Sequence, residues 1–454
     1  MNFTSINPTT GKVIKEYEYL TPDQIQTKLE LAETGYKTWS QTPLKSRIKL
    51  LKKLATNLLA KKSDFANLMT LEMGKRTVDG IAEIEKCAWV CQYYAENAEK
   101  ILKPKTVKTD ADESYVRYDP LGVTLAIMPW NFPFWQVFRA AAPALVAGNS
   151  MLLKHASSVP ACALAIEDLF IQSGAPLGTF QTLLVDSSSI KHVISHPSIH
   201  KISLTGSENA GISVASLAGQ HLKPTVLELG GSDPFIILPD CNLDLALQAA
   251  STSRLLVAGQ SCIAAKRFIV HKNLYEAFIE GFTKILSSKK LGDPSNPETD
   301  IGPLINREAL VALDRQVKQS LDAGAKLILG GKLLDSTGYF YPPTILSDVT
   351  PEMPVFAEET FGPVAAISIF SELDEALKLA NHPHFGLGAS VWTNNKNVIN
   401  FFAQKLESGS VFVNSLVKSD PRLPFGGTKY SGYGRELASE GLYEYTNIKT
   451  VWIN

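Results

Sequence analysis

Cys262 stands in Gly259-Gln260-Ser261-Cys262, and Glu228 stands upstream in Leu227-Glu228-Leu229-Gly230-Gly231. A thiol and a carboxylate, each flanked by small residues that leave room for a ligand, can divide one covalent reaction between them. The sulfur attacks, and the carboxylate later activates the water that releases the product. Taken singly, neither identifies a nucleophile or a base, because free cysteine is among the most buried side chains and glutamate is usually a solvated charge. The chemistry has to be read from the surrounding segments.

Two such segments follow expected strands. Pro129-Trp130-Asn131-Phe132-Pro133 lies just past a strand expected over 121–128, where a doubly wound sheet places ligand-binding residues. The Asn131 amide can donate to a developing oxyanion, a contact worth roughly 3 kcal/mol in a dry site; a Pro-bounded turn with an Asn cap is the structural alternative. Thr205-Gly206-Ser207 follows a strand expected over 201–204 and opens a helix. Backbone N–H groups there, approached closely at Gly206, suit a pyrophosphate. The segment is not a G-x-G-x-x-G fingerprint, and a Gly-Ser cap is also an ordinary helix start.

The elements that must hold these residues follow from the hydrophobic pattern. Thr21-Pro22-Asp23 begins a helix that runs to about Trp39, a second is expected over 46–62 and a third over 81–102, with Cys87 and Cys91 one turn apart on a packing face. From residue 121 short β-rich runs alternate with helices: strands over 121–128, 150–154, 180–185, 201–204 and 225–229, helices over 134–147, 160–172 and 208–217. A helix over 243–257 leads to Cys262, a strand follows over 267–270, and helices return over 307–323, 373–380 and 397–406. The tail over 446–453 alternates as a strand, paired either with another subunit or within its own chain. The fold class is α/β, with parallel doubly wound sheets.

Bulk properties narrow the function. A chain of 454 residues with formal charge −1 buries a large core and offers no basic stripe to nucleic acid. Met1 to Pro8 has no signal-peptide pattern, no apolar run approaches the length of a membrane span, and five scattered cysteines read as reduced thiols, so the expectation is a soluble cytoplasmic protein whose partners are small molecules. His192, His196 and His200 are spaced four apart, but Pro197 interrupts the run, and no metal site is expected.

The segments around Asn131, Gly206, Glu228 and Cys262, together with Glu359-Thr360-Phe361-Gly362-Pro363 and Pro424-Phe425-Gly426-Gly427, resemble the aldehyde dehydrogenase superfamily in order and spacing across essentially the whole chain. The resemblance implies a Rossmann-type dinucleotide-binding domain over 1–103 and 120–229, a second α/β catalytic domain over 230–435, and a small β oligomerisation element from 104–119 and 436–454 that makes a homodimer or homotetramer. It implies Cys262 as the nucleophile that forms a thiohemiacetal and then a thioester, Asn131 as oxyanion donor, and Glu228 as the base for hydrolysis. It further implies Trp130, Gly206 and Ser207 near the cofactor pyrophosphate, Glu359 and Phe361 at the nicotinamide ribose, and Lys154 at the adenosine ribose.

Departures from the family pattern bear on specificity. NAD-preferring members often carry a glutamate three residues after that lysine, where this chain has Ser157. Serine removes the repulsion of a 2′-phosphate, so NADP is expected as the preferred cofactor with NAD also accepted. Arg139 shares a helical face with Phe132 and Trp135, a face that points into the substrate tunnel in the family, and at Arg139 the chain looks like the bacterial succinic semialdehyde dehydrogenases. A carboxylate held by Arg139, with Ser419 as a second contact and Trp135 beside it, gives oxidation of succinic semialdehyde to succinate. The structural alternative for Arg139 is an ion pair with a nearby acid. Glutaric semialdehyde or an uncharged aliphatic aldehyde remains open as substrate, and from another class a cysteine hydrolase, although no histidine has a recognisable pairing context.

Overall fold

The computed structural model describes residues 2–454. Two parallel sheets organise the chain. The first has six strands in the spatial order Gly432–Tyr433, Thr225–Glu228, Ile199–Thr205, Val123–Met128, Ser150–His155 and Phe180–Thr182. All neighbours are parallel except the Gly432–Tyr433 edge. Numbered by chain position, its five parallel strands run 5-4-1-2-3. The order therefore reverses between Val123–Met128 and Ile199–Thr205, and a crevice opens at their carboxyl ends.

The second sheet has seven strands, in the order Lys326–Leu329, Thr344–Ser347, Val364–Phe370, Ala265–His271, Asp233–Ile237, Gly388–Trp392 and Ser410–Val413, with only the first antiparallel to its neighbour. Asp233–Ile237 and Gly388–Trp392 are buried at every position, the pattern of parallel strands covered on both faces. The tail strand Thr446–Ile453 pairs antiparallel with Glu113–Pro120 of its own chain, and Lys105–Thr106 completes a three-stranded sheet. Of the two pairings open in the sequence, the internal one is formed, and Thr446–Ile453 occupies an edge of that sheet.

The helix Pro22–Ser40 starts with a capping box between Thr21 and Gln24. The helix expected over 46–62 is formed as Leu44–Ala60, and a further helix that was not expected, Lys62–Met73, follows it. The break falls at Lys61, whose φ of −109° and ψ of 14° leave the helical region. The bend lets Leu51, Leu54 and Leu58 on one side and Phe65, Met69 and Met73 on the other bury themselves in one core with the helix Thr77–Ile101. That same core holds Cys87, Cys91 and Cys162 as free thiols. An N-terminal hairpin, Asn2–Asn7 with Lys12–Glu18, was not expected from the sequence.

The helix Trp135–Ala147 is buried along its whole length, which explains its nearly unbroken apolar composition. It has no side-chain cap from its own N-terminal residue. Glu83 supplies one from the helix Thr77–Ile101, accepting from the Phe134 and Trp135 N–H groups at 2.9 Å each. Lys75 pairs with the same carboxylate in the interior. The helix Ile190–Ser195 ends before His196, and His200 lies on the strand that follows, so the three histidines do not share one helix. No helix of the described residues is long and apolar enough to cross a membrane.

Candidate active site

The crevice at the strand reversal contains most of the expected cofactor residues. Trp130, Asn131, Gly206, Ser207, Cys262, Glu359 and Phe361 line one cavity. Ser207 caps the helix Glu208–Gln220 by accepting from Ala210 N at 3.3 Å, so the positive end of that helix opens into the cavity. A Cβ on Gly206 would find nothing closer than 3.7 Å, which leaves backbone exposed for a bulky anion. Trp130 and Phe361 stand edge to face with centroids 5.8 Å apart. Glu359 accepts from Gly231 N–H at 3.0 Å and faces Lys266 at 3.7 Å. A Cβ on Gly230 would come within 2.6 Å of the Glu359 carboxylate, so this position admits the side chain only because it is glycine. The donor set, a helix N-terminus, small residues and a carboxylate placed to accept from hydroxyls, fits a dinucleotide.

Lys154 and Ser157 lie outside the lining of that cavity. Lys154 is at the carboxyl end of Ser150–His155, in register with Ile127 of the neighbouring strand, and Ser157 is exposed two residues beyond that strand. Both lie at the carboxyl end of that strand. Burial holds the Lys154 ammonium below its ordinary pKa.

The loop that precedes Cys262 differs from expectation. The helix expected over 243–257 ends at Leu255, and Val257, Ala258 and Gly259 have φ of 52°, 54° and 77°. Three consecutive left-handed residues, one of them β-branched, store strain that the surroundings must hold. Buried Arg254 donates to Gly259 O at 2.8 Å. Gln260 donates to Val257 O and Pro303 O and accepts from Ile305 N–H at 2.9 Å. Lys266 donates to the carbonyls of Ser261, Cys262 and Ala264 at 3.0, 2.7 and 3.3 Å. A Cβ on Gly259 would lie 2.3 Å from Gly362 O. Sequence reading singled out none of Arg254, Gln260 or Lys266 for this role, because only the folded course of the loop turns these polar side chains inward onto its carbonyls.

Cys262 is also part of a second cavity, lined by Phe132, Trp135, Arg139 and Ser419 among others. It thus lies where the two cavities meet. Burial pushes its thiol up to about 12, with Lys266 and Arg139 opposing that shift and Glu359 and Glu228 adding to it. Asn131 is held on both sides: Gln136 donates to its Oδ1 at 3.0 Å, and its Nδ2 donates to Gln260 O at 2.9 Å. That amide has a second N–H available to an oxyanion.

Glu228 ends the strand Thr225–Glu228 and is 2 % exposed, and its Oε1 has no hydrogen-bond partner among the described residues. Burial holds its carboxyl well above the ordinary range, while Arg139, Arg435 and the Gly427 N–H favour the ionised form. A buried, unsatisfied carboxylate is expensive, and such groups cluster where they serve chemistry.

Arg139 lines the second cavity, as its helical face implies, and also forms the structural ion pair that the sequence left open. Its Nε faces Glu436 Oε2, both side chains being nearly inaccessible, and its Nη2 donates to Thr205 Oγ1 at 3.2 Å. The guanidinium stacks over the Phe425 ring at 4.8 Å. No local sequence pattern marks Glu436 as the partner of a residue almost three hundred positions earlier.

Comparison with known proteins agrees with this geometry. The model of the aldehyde dehydrogenase family matches residues 1–451. A protein of Synechocystis sp. named probable succinate-semialdehyde dehydrogenase (NADP+) is 49% identical over 453 residues, covering 100% of both chains. Succinate-semialdehyde dehydrogenase (NADP+) 1 of Mycobacterium tuberculosis is 46% identical over 456 residues, again covering 100% of both. The crystal structure of succinic semialdehyde dehydrogenase from Streptococcus pyogenes in complex with NADP+ superposes with a TM-score of 0.97 at 38% identity, covering 99% of each chain. With a family match across nearly its whole length and the thiol placed between two cavities, the chain belongs to the aldehyde dehydrogenase family.

Proposed function

We propose that the enzyme oxidises succinic semialdehyde to succinate, with NADP as preferred cofactor and NAD accepted. The observation that carries this reading is the position of Cys262 at the meeting of a dinucleotide-shaped crevice and a separate cavity with cationic groups in its wall. Trp130, Gly206 and Ser207 would hold the pyrophosphate of the cofactor, Glu359 and Phe361 its nicotinamide ribose, and Lys154 and Ser157 would receive the adenosine end, where the absence of a carboxylate at residue 157 tolerates a 2′-phosphate. The names of the similar proteins support both the substrate and the cofactor.

In this mechanism the Cys262 thiol gives up its proton to solvent as its sulfur adds to the aldehyde carbon, and the resulting oxyanion accepts from Asn131 Nδ2 and the Cys262 backbone N–H. A nicotinamide held by Glu359 and Phe361 would supply the hydride acceptor, and loss of the hydride from the adduct carbon leaves a thioester on Cys262. Glu228 then takes a proton from water as its oxygen attacks the thioester, releasing the acid and restoring the thiol. Arg139, Arg435 and the Gly427 N–H lower the cost of the Glu228 carboxylate that this step requires. Trp135, Arg139 and Ser419 form the wall that receives the far end of the substrate.

We read 1–103 with 120–229 as the cofactor domain, 230–435 as the catalytic domain, and 104–119 with 436–454 as an element through which copies associate as a dimer or tetramer. The edge position of Thr446–Ile453 and its exposed Ile448, Trp452 and Ile453 support that association. We place the enzyme in the cytoplasm, where its free cysteines stay reduced. Turnover of succinic semialdehyde, glutaric semialdehyde and butanal with each cofactor tests the function. Succinic semialdehyde with NADP should give the highest kcat/KM; equal efficiency with butanal, or a strong preference for NAD, would remove the corresponding part of the proposal.

A further inference from the structure

We infer that Lys86, together with Ser419, is the direct seat of the substrate carboxylate, with Arg139 set one step behind it; this rests on the reading that the substrate carries a carboxylate. Five charged residues line the cavity that Cys262 shares with Trp135. Asp79 is bound to Arg76, and Glu83 is occupied by Lys75 and the N–H groups of Phe134 and Trp135. Arg139 is neutralised by Glu436. Lys418 is exposed. Lys86 alone among these five is largely withdrawn from solvent without an acid within ion-pair distance among the described residues.

The local geometry fits an anion. Lys86 projects from the helix Thr77–Ile101 across the Trp135 ring, with Nζ 4.4 Å from its centroid, and donates to Ser419 Oγ at 2.7 Å. An ammonium has three donors, so two remain. Because Ser419 Oγ accepts from Lys86, its own hydrogen is free to donate elsewhere. The pair therefore presents charge-assisted and neutral donors side by side, the combination a carboxylate's two oxygens accept. An unpaired cation in an apolar cavity costs free energy that a bound carboxylate would recover.

The titratable and charged groups facing Lys86 are Glu83 and the Cys87 thiol on its own helix, the latter held neutral by burial, Arg139 on the helix Trp135–Ala147, and Asp420 next to Ser419. Burial, and after it Arg139, lowers the ammonium to about 8, against the opposing effects of Cys87, Glu83 and Asp420. The charge on which binding depends is thus partly lost in mildly alkaline solution.

The test compares wild type, Lys86→Met and Lys86→Arg with succinic semialdehyde and butanal. Loss of one charge-assisted contact should lower the ratio of kcat/KM for succinic semialdehyde over butanal about 10- to 100-fold in Lys86→Met, mainly through KM. Lys86→Arg should restore most of the ratio. KM for succinic semialdehyde should rise in wild type between pH 7 and 9.5 and stay flat in Lys86→Arg. A merely structural lysine would depress both aldehydes alike, and an unchanged ratio in Lys86→Met overturns the inference. A wild type with no preference for succinic semialdehyde over butanal would instead remove the charged-substrate reading, and this assignment with it.

Discussion

Replacing Glu228 by glutamine separates the two halves of the proposed reaction and should move stability and turnover in opposite directions. The side chain is 2 % exposed with one oxygen unpartnered, and burial raises its pKa well above 4.5. An acid whose folded pKa lies above its unfolded value contributes most stability below the unfolded value, and that contribution is lost as pH rises toward the folded one. Glutamine keeps the shape and an acceptor for the Gly427 N–H without any charge to bury. Glu228→Gln should therefore be more stable than wild type at pH 7 and above, by about 1–3 kcal/mol if the cost is that of one unsatisfied buried polar group. The gain should shrink toward pH 4.5.

Catalysis should suffer where stability gains. Removal of a general base costs about 10²- to 10⁴-fold, and only hydrolysis of the thioester depends on it. Rapid mixing with succinic semialdehyde and NADP, followed by absorbance of the reduced cofactor, should show a burst of about one equivalent per active site, then turnover slowed by that factor. Thermal melting across pH gives the other arm. A variant that turns over at the wild-type rate, or that loses the burst together with steady-state turnover, would refute the assignment of Glu228 to hydrolysis. A lower melting temperature at pH 8 would refute the argument from burial.

Other residues give shorter tests. Asn131→Ala removes the oxyanion donor and should lower kcat/KM about 10²- to 10³-fold for charged and uncharged aldehydes alike, measured by initial rates with each. Gly259→Ala places a Cβ 2.3 Å from Gly362 O at a φ of 77°; it should lower the melting temperature and abolish activity, whereas Gly219→Ala, with nothing within 4 Å, should do neither. The Cys262 thiol, pushed up to about 12, should be alkylated by iodoacetamide slowly at pH 7. Its rate, after subtraction of the Cys262→Ala background, should rise about 100-fold by pH 9 in the absence of cofactor, because thiolate is the reactive form. A plateau below pH 9 would show the thiol to be activated in the resting enzyme.

The alternation of apolar runs and helix starts after residue 121 was enough to read the first parallel sheet, because strand and helix periodicities are local properties of the chain. Elsewhere the pattern missed the helix Lys62–Met73 and carried the helix before Cys262 on to Val257. The left-handed turn at Val257 depends on what the flanking segments pack against, and Val257 has no intrinsic preference for its observed φ. The N-terminal hairpin was missed because it lacks clean alternation, with only Ser5 and Tyr17 fully buried in its strands.

The sequence by itself determined the family and the candidate residues for its chemistry. Cys262, Glu228, Asn131 and the cofactor segments stand in recognisable local contexts, and the family model spans residues 1–451. Tertiary structure alone decided their electrostatic setting. Whether Arg139 is free or paired depends on Glu436, whether Asn131 points its amide correctly depends on Gln136 and Gln260, and the helix that bears Trp135 is capped by Glu83. Lys86, on an amphipathic helix, has the sequence context of a solvated charge. Only the approach of Trp135 and Ser419 removes it from water. Burial and charge pairing are sums over neighbours distant in the chain, so no window of sequence contains them.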